Sequence, residues 1–581
     1  MRTTAALGSL AALCAAVVGV AAVTSSRSAT PPAPAPAERK VRLAVLVVFD
    51  QLRGDYLARW RPLFGPNGFA RLQRDGAWFT NCHYPYGVTT TGTGHASMLT
   101  GACADVHGIV NNNWIEDGRE EYCAGDSRYR LVPPAPAFPV EPGAKPPAEP
   151  KTAGTPERLR SETVADVLKE VHGPAAKVFG LSLKDRSAIL PTGKRPDGAY
   201  WFYGAFGTST YYADRVRPWV ETFNRSKAAD RWFGRDWTYF RPELDYTRWS
   251  GPDDGRGEGG GVGQRVAFPH PTTGGKPKLG KAYYEALANS PFGNDLLLEF
   301  AKTCVEAESL GADDVPDLLV VSFSSNDLIG HTWGSESHEA LDVTLRSDAL
   351  MADLLNFLDA KVGKDRYLLG LTADHGVCPL PEMSRDNGTA PGAARVGTAD
   401  LQKVIDNHLT DKFPALKPAD GKAARWTESI VFPWVQLNPK LVKASGQPAA
   451  AVAAEAAKGL MADKEKRVFR TFTPAELAGT FPESDGIANR MKRSFYPSRC
   501  GDLAVVLNPY SLPATKGSTG TTHGAPFNYD THVPLMVYGP GVRGGVRAEP
   551  TTPQALARIF ARALNVRDPK DAAFPLPKAL E

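Results

Sequence analysis

The chain is short of the residues that several function classes require. It has 7 cysteines among 581 residues, and no two are spaced Cys-x-x-Cys, which excludes a zinc finger or a dithiol redox motif. Neither sign of charge dominates: 67 Lys+Arg stand against 63 Asp+Glu, so no basic face for nucleic acid is built in and no nucleic-acid partner is expected. No internal repeat recurs. Cys14 lacks the small preceding residue of a lipoprotein cleavage site, so no lipid anchor is expected. What remains, with 42% hydrophobic and 22% charged residues, is an ordinary globular composition long enough for one large α/β domain with insertions.

Met1-Arg2-Thr3-Thr4 and the apolar Ala5–Val23 run read as a signal peptide over residues 1–23. The run is nearly long enough to cross a bilayer, so a retained N-terminal anchor is the second reading of the same residues. A Pro/Ala-rich linker follows over residues 24–40. A periplasmic or secreted protein is the expectation, with no stable membrane partner unless the leader stays attached. In that compartment Cys82, Cys103, Cys123, Cys304, Cys378 and Cys500 form an even set suited to disulfides, with Cys103–Cys123 the first expected pair and buried free thiols the alternative.

Four apolar runs each hand polar residues to their carboxyl ends. Val41–Phe49 ends at Asp50, Ala176–Ser182 leads to Lys184 and Arg186, Leu318–Phe323 precedes Asp327, and Tyr367–Thr372 delivers Asp374 and His375. Runs this continuous are the mark of strands buried on both faces of a parallel sheet, and sites in such sheets assemble at the strand ends. Helices are expected over Ser161–Val171 and Ser337–Val362, and a late strand over Val533–Tyr538. The expected fold is α/β, a mostly parallel central sheet with helices on both faces, forming a catalytic domain over 41–575. Pro133–Pro150 reads as an irregular loop; insertions fall at 201–275 and 384–518, the second, with a strand near Ser429–Phe432, as a lid-like cap subdomain.

The stretch Val88-Thr89-Thr90-Thr91-Gly92-Thr93-Gly94-His95 feeds hydroxyls into a short helix starting near Thr91. A threonine hydroxyl needs a base or a metal to become a nucleophile, and three Asp with three His supply an N/O ligand inventory for two divalent ions of the zinc type. Asp327 and His331, four apart, share one side of a helical turn. Two such ions roughly 4 Å apart would clamp the oxygens of an in-line displacement, which points to phosphoryl transfer. Lys184 and Arg186, two apart on an extended segment, would face one phosphoryl group together. Residue chemistry leaves Thr89, Thr90, Thr91 and Thr93 equivalent.

Asp50 after the first strand, Thr91 in a Thr-x-x-x-His frame, Asp327-x-x-x-His331, Thr372-Ala373-Asp374-His375-Gly376 and Thr522-His523-Gly524 together resemble the alkaline phosphatase superfamily. Lys184-Asp185-Arg186 and Asn112 resemble its bacterial, phosphate-irrepressible members with a threonine nucleophile. The resemblance selects Thr91 and implies two Zn2+ per chain, one on Asp327, His331 and His523, the other on Asp50, Asp374, His375 and Thr91. It implies a phosphothreonine intermediate, phosphate contacts from Lys184, Arg186 and Asn112, and a cationic side chain where other members use a third metal. Phosphate monoesters are the expected substrates, because a dianion suits that charge. The alternatives are a phosphodiesterase/nucleotide pyrophosphatase of the same superfamily and a non-catalytic exported binding protein. No Cys-x-Pro-x-Arg type frame surrounds Thr91, so the sulfatase branch is not expected.

Overall fold

A computed structural model describes residues 40–138, 153–514 and 517–581. The expected leader, linker residues 24–39 and most of the Pro133–Pro150 loop lie outside these residues. Every residue of the Leu43–Phe49 strand is 0% exposed, and at roughly 2 kcal/mol for each large apolar side chain fully buried this segment alone accounts for its central place. Around it runs a ten-stranded sheet in the order Gly545–Arg547, Ala77–Phe79, Leu535–Tyr538, Tyr367–Thr372, Leu43–Phe49, Asp317–Phe323, Val178–Ser182, Gly198–Phe202, Phe206–Ser209, Leu131–Val132.

The five strands from Tyr367–Thr372 to Gly198–Phe202 are parallel. Beyond them the sheet is mixed: Leu535–Tyr538 runs antiparallel to both neighbours, and Phe206–Ser209 turns back on Gly198–Phe202. The expected parallel core is therefore present with antiparallel flanks. The first strand's Val48 pairs with both Ser322 and Thr372, and Ser322 with Ser182. Segments leaving these positions emerge side by side at one edge, and Asp50, Lys184, Asp327 and Asp374 lie on them.

Helices cover the sheet as the periodicity requires. Val164–His172 begins with a capping box from Thr163 and Asp166, and His338–Leu358 is capped by Ser337. The span 201–275 starts inside the main sheet, since Trp201 and Phe202 belong to one of its strands. Within 384–518, Thr427–Val431, Trp434–Leu437, Leu503–Leu507 and Val468–Phe472 form a separate antiparallel sheet with its own apolar core around Leu401, Ile405, Trp426 and Val435.

Two expectations are corrected. All six described cysteines are free thiols, five of them buried, so Cys103 and Cys123 are not paired and the apolar alternative holds. Lys184 and Arg186 do not share an extended segment: Lys184 stands just before a short helix, Asp185–Ile189, and Arg186 lies in that helix's first turn, three to four residues after the strand ends at Ser182. Gly180 allows that helix to lie on the strand, because a Cβ there would fall 2.1 Å from the Ala188 carbonyl oxygen. Gly180→Ala is expected to cost about 1–3 kcal/mol of stability, the usual range for overpacking, read as a lower urea midpoint. An unchanged midpoint contradicts this packing.

Candidate active site and metal centre

The Thr91–Thr100 helix sets the nucleophile candidate. Thr91 is its first residue, and the helix packs so tightly over the Asp374 strand end that a Cβ at Gly94 would lie 2.3 Å from the Asp374 carbonyl oxygen. Thr91 Oγ1 stands 3.4 Å from His375 Nε2 and 3.5 Å from an Arg186 guanidinium nitrogen. Of the four threonines that residue chemistry left equivalent, Thr91 is the one placed against both a candidate metal ligand and a cation. Thr90 and Thr93 hydrogen-bond to each other, and Thr89 to the Ala525 carbonyl.

The ligand candidates converge from segments hundreds of residues apart. Asp327 and His331 sit on the Ser325–Trp333 helix with His331 Nε2 3.2 Å from Asp327 Oδ1, and His523 Nε2 lies 3.6 Å from the same oxygen. One ligand atom from each of these three residues falls within 4.8 Å of the others, and the same holds for Asp50, Asp327 and His375. His375 Nε2 is 3.5 Å from Asp50 and 3.3 Å from Asp374, and its ring stacks on His523 at 3.4 Å. Asp327 thus stands between two groups. Lys184 Nζ donates to Asp50 Oδ2 at 2.7 Å and to Asp327 Oδ2 at 2.5 Å, so it and Arg186 face different partners. Asn112 Oδ1 accepts from the Gly92 backbone N–H at 2.8 Å, tying it to the helix start.

Proton positions follow from the carbonyls. His331, His375 and His523 each direct Nδ1 at a backbone carbonyl, those of Thr521, Gly376 and Thr89, at 2.7, 2.9 and 2.7 Å. A carbonyl only accepts, so Nδ1 carries the proton, and each Nε2 faces the carboxylates; a bond from Nδ1–H to a carbonyl is the usual way a metal-binding imidazole is oriented. Burial and the neighbouring imidazoles hold His523 well below its ordinary value, and burial lowers His375. Burial works against the charge on His331, but Asp327 outweighs it and raises His331. Burial and the charges of Asp327 and Asp374 push Asp50 well up, against the pull of Lys184. For Asp327 the same burial is overcome by His331 and Lys184, which hold it well below the usual range.

Two oxygens in this cluster, Asp50 Oδ1 and Asp374 Oδ2, are buried with no hydrogen-bond partner. Buried carboxylates go unpaired only where something else compensates their charge. Three carboxylates, three imidazole Nε2 atoms and one hydroxyl around such orphaned oxygens fit divalent ions of the zinc type.

Sequence reasoning missed three supporting residues. Gln51 takes a positive φ of 68° and places its backbone N–H on Asp374 Oδ1 at 3.0 Å and its side-chain amide on Asp327 Oδ1 at 2.7 Å. Tyr122 OH donates to Asp185 at 2.5 Å and accepts from Arg186 at 3.3 Å. His95, buried, bonds the Thr91 carbonyl oxygen and the Ser322 hydroxyl at 2.9 and 2.8 Å. Only His95 carried a signal, through its spacing from Thr91.

The type I phosphodiesterase / nucleotide pyrophosphatase family matches residues 44–526. The alkaline phosphatase PhoV of Synechococcus elongatus is 31% identical over 539 residues, covering 91% of this chain and 90% of that protein. The chain belongs to the alkaline phosphatase superfamily. A protein of Myroides odoratus named a calcium-transporting ATPase is likewise 31% identical over 552 residues, covering 93% of this chain and 95% of its own length. The crystal structure of the alkaline phosphatase PafA superposes with a TM-score of 0.82 at 29% identity, covering 93% of this chain and 99% of that one.

Within this superfamily member, Tyr122→Phe removes one acceptor of Arg186. A hydrogen bond to a charged group is worth about 1.4 kcal/mol or more, so kcat/KM on an aryl phosphate is expected to fall roughly tenfold. An unchanged value removes Tyr122 as a support of Arg186.

Proposed function

We propose that this chain is an exported, zinc-dependent alkaline phosphatase that hydrolyses phosphate monoesters through a phosphothreonine at Thr91. The observation that carries the reading is the position of Thr91 Oγ1 between His375 Nε2 and Arg186. Asp327, His331 and His523 would hold one ion, and Asp50, Asp374, His375 and Thr91 the other. Bound zinc would supply a Lewis acid for the leaving oxygen and positive charge that lowers the pKa of a nearby hydroxyl.

The chain's own residues perform the rest. Thr91 Oγ1 attacks phosphorus, its bond to phosphorus forms as the ester P–O bond breaks, and the alcohol leaves with one proton. Water then attacks the phosphothreonine, Thr91 recovers its proton, and phosphate is released. Arg186 can bind two phosphoryl oxygens at once and Lys184 adds a compact charge beside them. Asn112, fixed to the helix start through Oδ1, keeps its side-chain N–H groups for an oxygen of the same group. Two cationic side chains besides the metals suit a dianionic monoester better than a singly charged diester. Export rests on the residues 1–23 reading.

The test is a panel of aryl phosphate, bis-aryl phosphate and ATP, the last because of the Myroides relative's name, each with chelator and with zinc restored. The expected result is fastest turnover of the monoester, loss with chelator and recovery with zinc. Thr91→Ala is expected to lower kcat by on the order of 10³-fold or more while zinc remains bound, as for loss of a catalytic nucleophile. Faster diester turnover favours the phosphodiesterase reading, and near wild-type activity of Thr91→Ala contradicts the nucleophile assignment.

A further inference from the structure

His375 and His523 fall in different ligand groups, yet their ring centres lie 3.4 Å apart with the planes 16° from parallel. Flat rings this close can slide and tilt unless each is held from behind. Each is held through Nδ1, by the Gly376 carbonyl at 2.9 Å and the Thr89 carbonyl at 2.7 Å, so whatever fixes those carbonyls fixes the rings.

A path of hydrogen bonds joins the two carbonyls. Thr89 Oγ1 donates to the Ala525 carbonyl at 3.3 Å, the Ala525 N–H donates to Asp530 Oδ2 at 2.7 Å, and the Gly376 N–H donates to the Asp530 backbone carbonyl at 2.7 Å. The path thus leads from His523 through Thr89, Ala525, Asp530 and Gly376 to His375. The Val377 N–H adds a bond to the Tyr529 carbonyl at 2.9 Å. A Cβ on Gly376 would lie 2.2 Å from that same oxygen, so the two backbones are in contact.

Asp530 is the one link in this path whose acceptor is a carboxyl. It is 0% exposed, Oδ1 has no hydrogen-bond partner, and Cys378, Phe527 and Tyr529 line the same cavity. Burying a carboxyl there is costly, and a leucine, branched at the same carbon, would fill the space without that cost. What the leucine would lack is an acceptor for the Ala525 N–H. Among the described residues, neither group able to hold an ion includes Asp530, so its part is not that of a ligand.

We propose that Asp530 is a positioning residue that ties the loop carrying His523 to the loop carrying His375, and so fixes the two imidazoles, one for each ion, relative to each other. The proposal rests on the two-ion reading above. It assigns Asp530 no contact with substrate; the residue acts through the two rings.

Three variants of the full-length protein test this by zinc affinity, measured against a chromophoric chelator, and by the visible spectrum with Co2+ in place of zinc, which reports ligand geometry. Asp530→Asn keeps an oxygen acceptor, Asp530→Leu keeps the branching without one, and Thr89→Val breaks the next link with little change of shape. Asp530→Leu is expected to weaken zinc binding by about 10–100-fold, the usual effect of losing a group that orients a metal ligand. It should also alter the Co2+ spectrum and lower kcat on an aryl phosphate at saturating zinc. Asp530→Asn should match wild type in all three, and Thr89→Val should move in the direction of Asp530→Leu. Wild-type zinc affinity and Co2+ spectra in both Asp530→Leu and Thr89→Val overturn the proposal. So does a folded Asp530→Asn that binds zinc as weakly as Asp530→Leu; if Asp530→Leu does not fold, Thr89→Val decides. A wild-type chain that binds no pair of ions overturns the two-ion reading itself, whereas normal wild-type loading with unaltered variants overturns this proposal alone.

Discussion

Three buried carboxylates, two of them bound by one ammonium, set the terms for the rest of the molecule. Asp50, Asp327 and Asp374 are at most 2% exposed, and Lys184 reaches two of them while Asp50 Oδ1 and Asp374 Oδ2 have no hydrogen-bond partner. Removing a carboxylate from water costs several kcal/mol even after relaxation. A chain tolerates that only if the cluster's charge is compensated by something it binds. The three imidazoles, each proton-bearing on the side away from the carboxylates, make the cluster suited to metal rather than to protons.

The architecture explains how such a cluster is held. The parallel strands share a register, so their polar followers emerge together, and the apolar strands behind them are too tightly packed to let one ligand drift. Gln51 accepts an unfavourable backbone conformation to reach Asp374 and Asp327 together. The glycine at position 94 lets the Thr91 helix approach the Asp374 backbone, which places the hydroxyl against His375. The fold is thus a frame for distances, and the chemistry resides at the edge of the frame.

Much of this was readable from sequence, for physical reasons. Strands buried on both faces read as unbroken apolar runs, so Leu43–Phe49, Val178–Ser182, Asp317–Phe323 and Tyr367–Thr372 stood out within two residues of their observed bounds. The ligand residues stood out because Asp and His are rare at the ends of such runs, and the superfamily resemblance singled out one threonine among four. What stayed hidden depends on contacts far apart in sequence. Nothing local announces that Leu535–Tyr538 runs antiparallel, that Trp201 lies in the main sheet or that Cys103 and Cys123 remain apart. Gln51 and Tyr122 are neither ligands nor nucleophiles by type, and only their neighbours in space show what they hold. The Asp185–Ile189 helix was missed because five residues are too few to show a period.

The central claim is that seven residues from five regions of the chain enclose two metal ions beside one hydroxyl. Anomalous diffraction at the zinc edge from zinc-loaded crystals tests it most directly. The account predicts two peaks, one roughly 2 Å from a carboxylate oxygen of Asp327 and from Nε2 of His331 and His523, the other at the same range from Asp50, Asp374, His375 and Thr91 Oγ1. A single peak, or peaks away from Thr91, would contradict it.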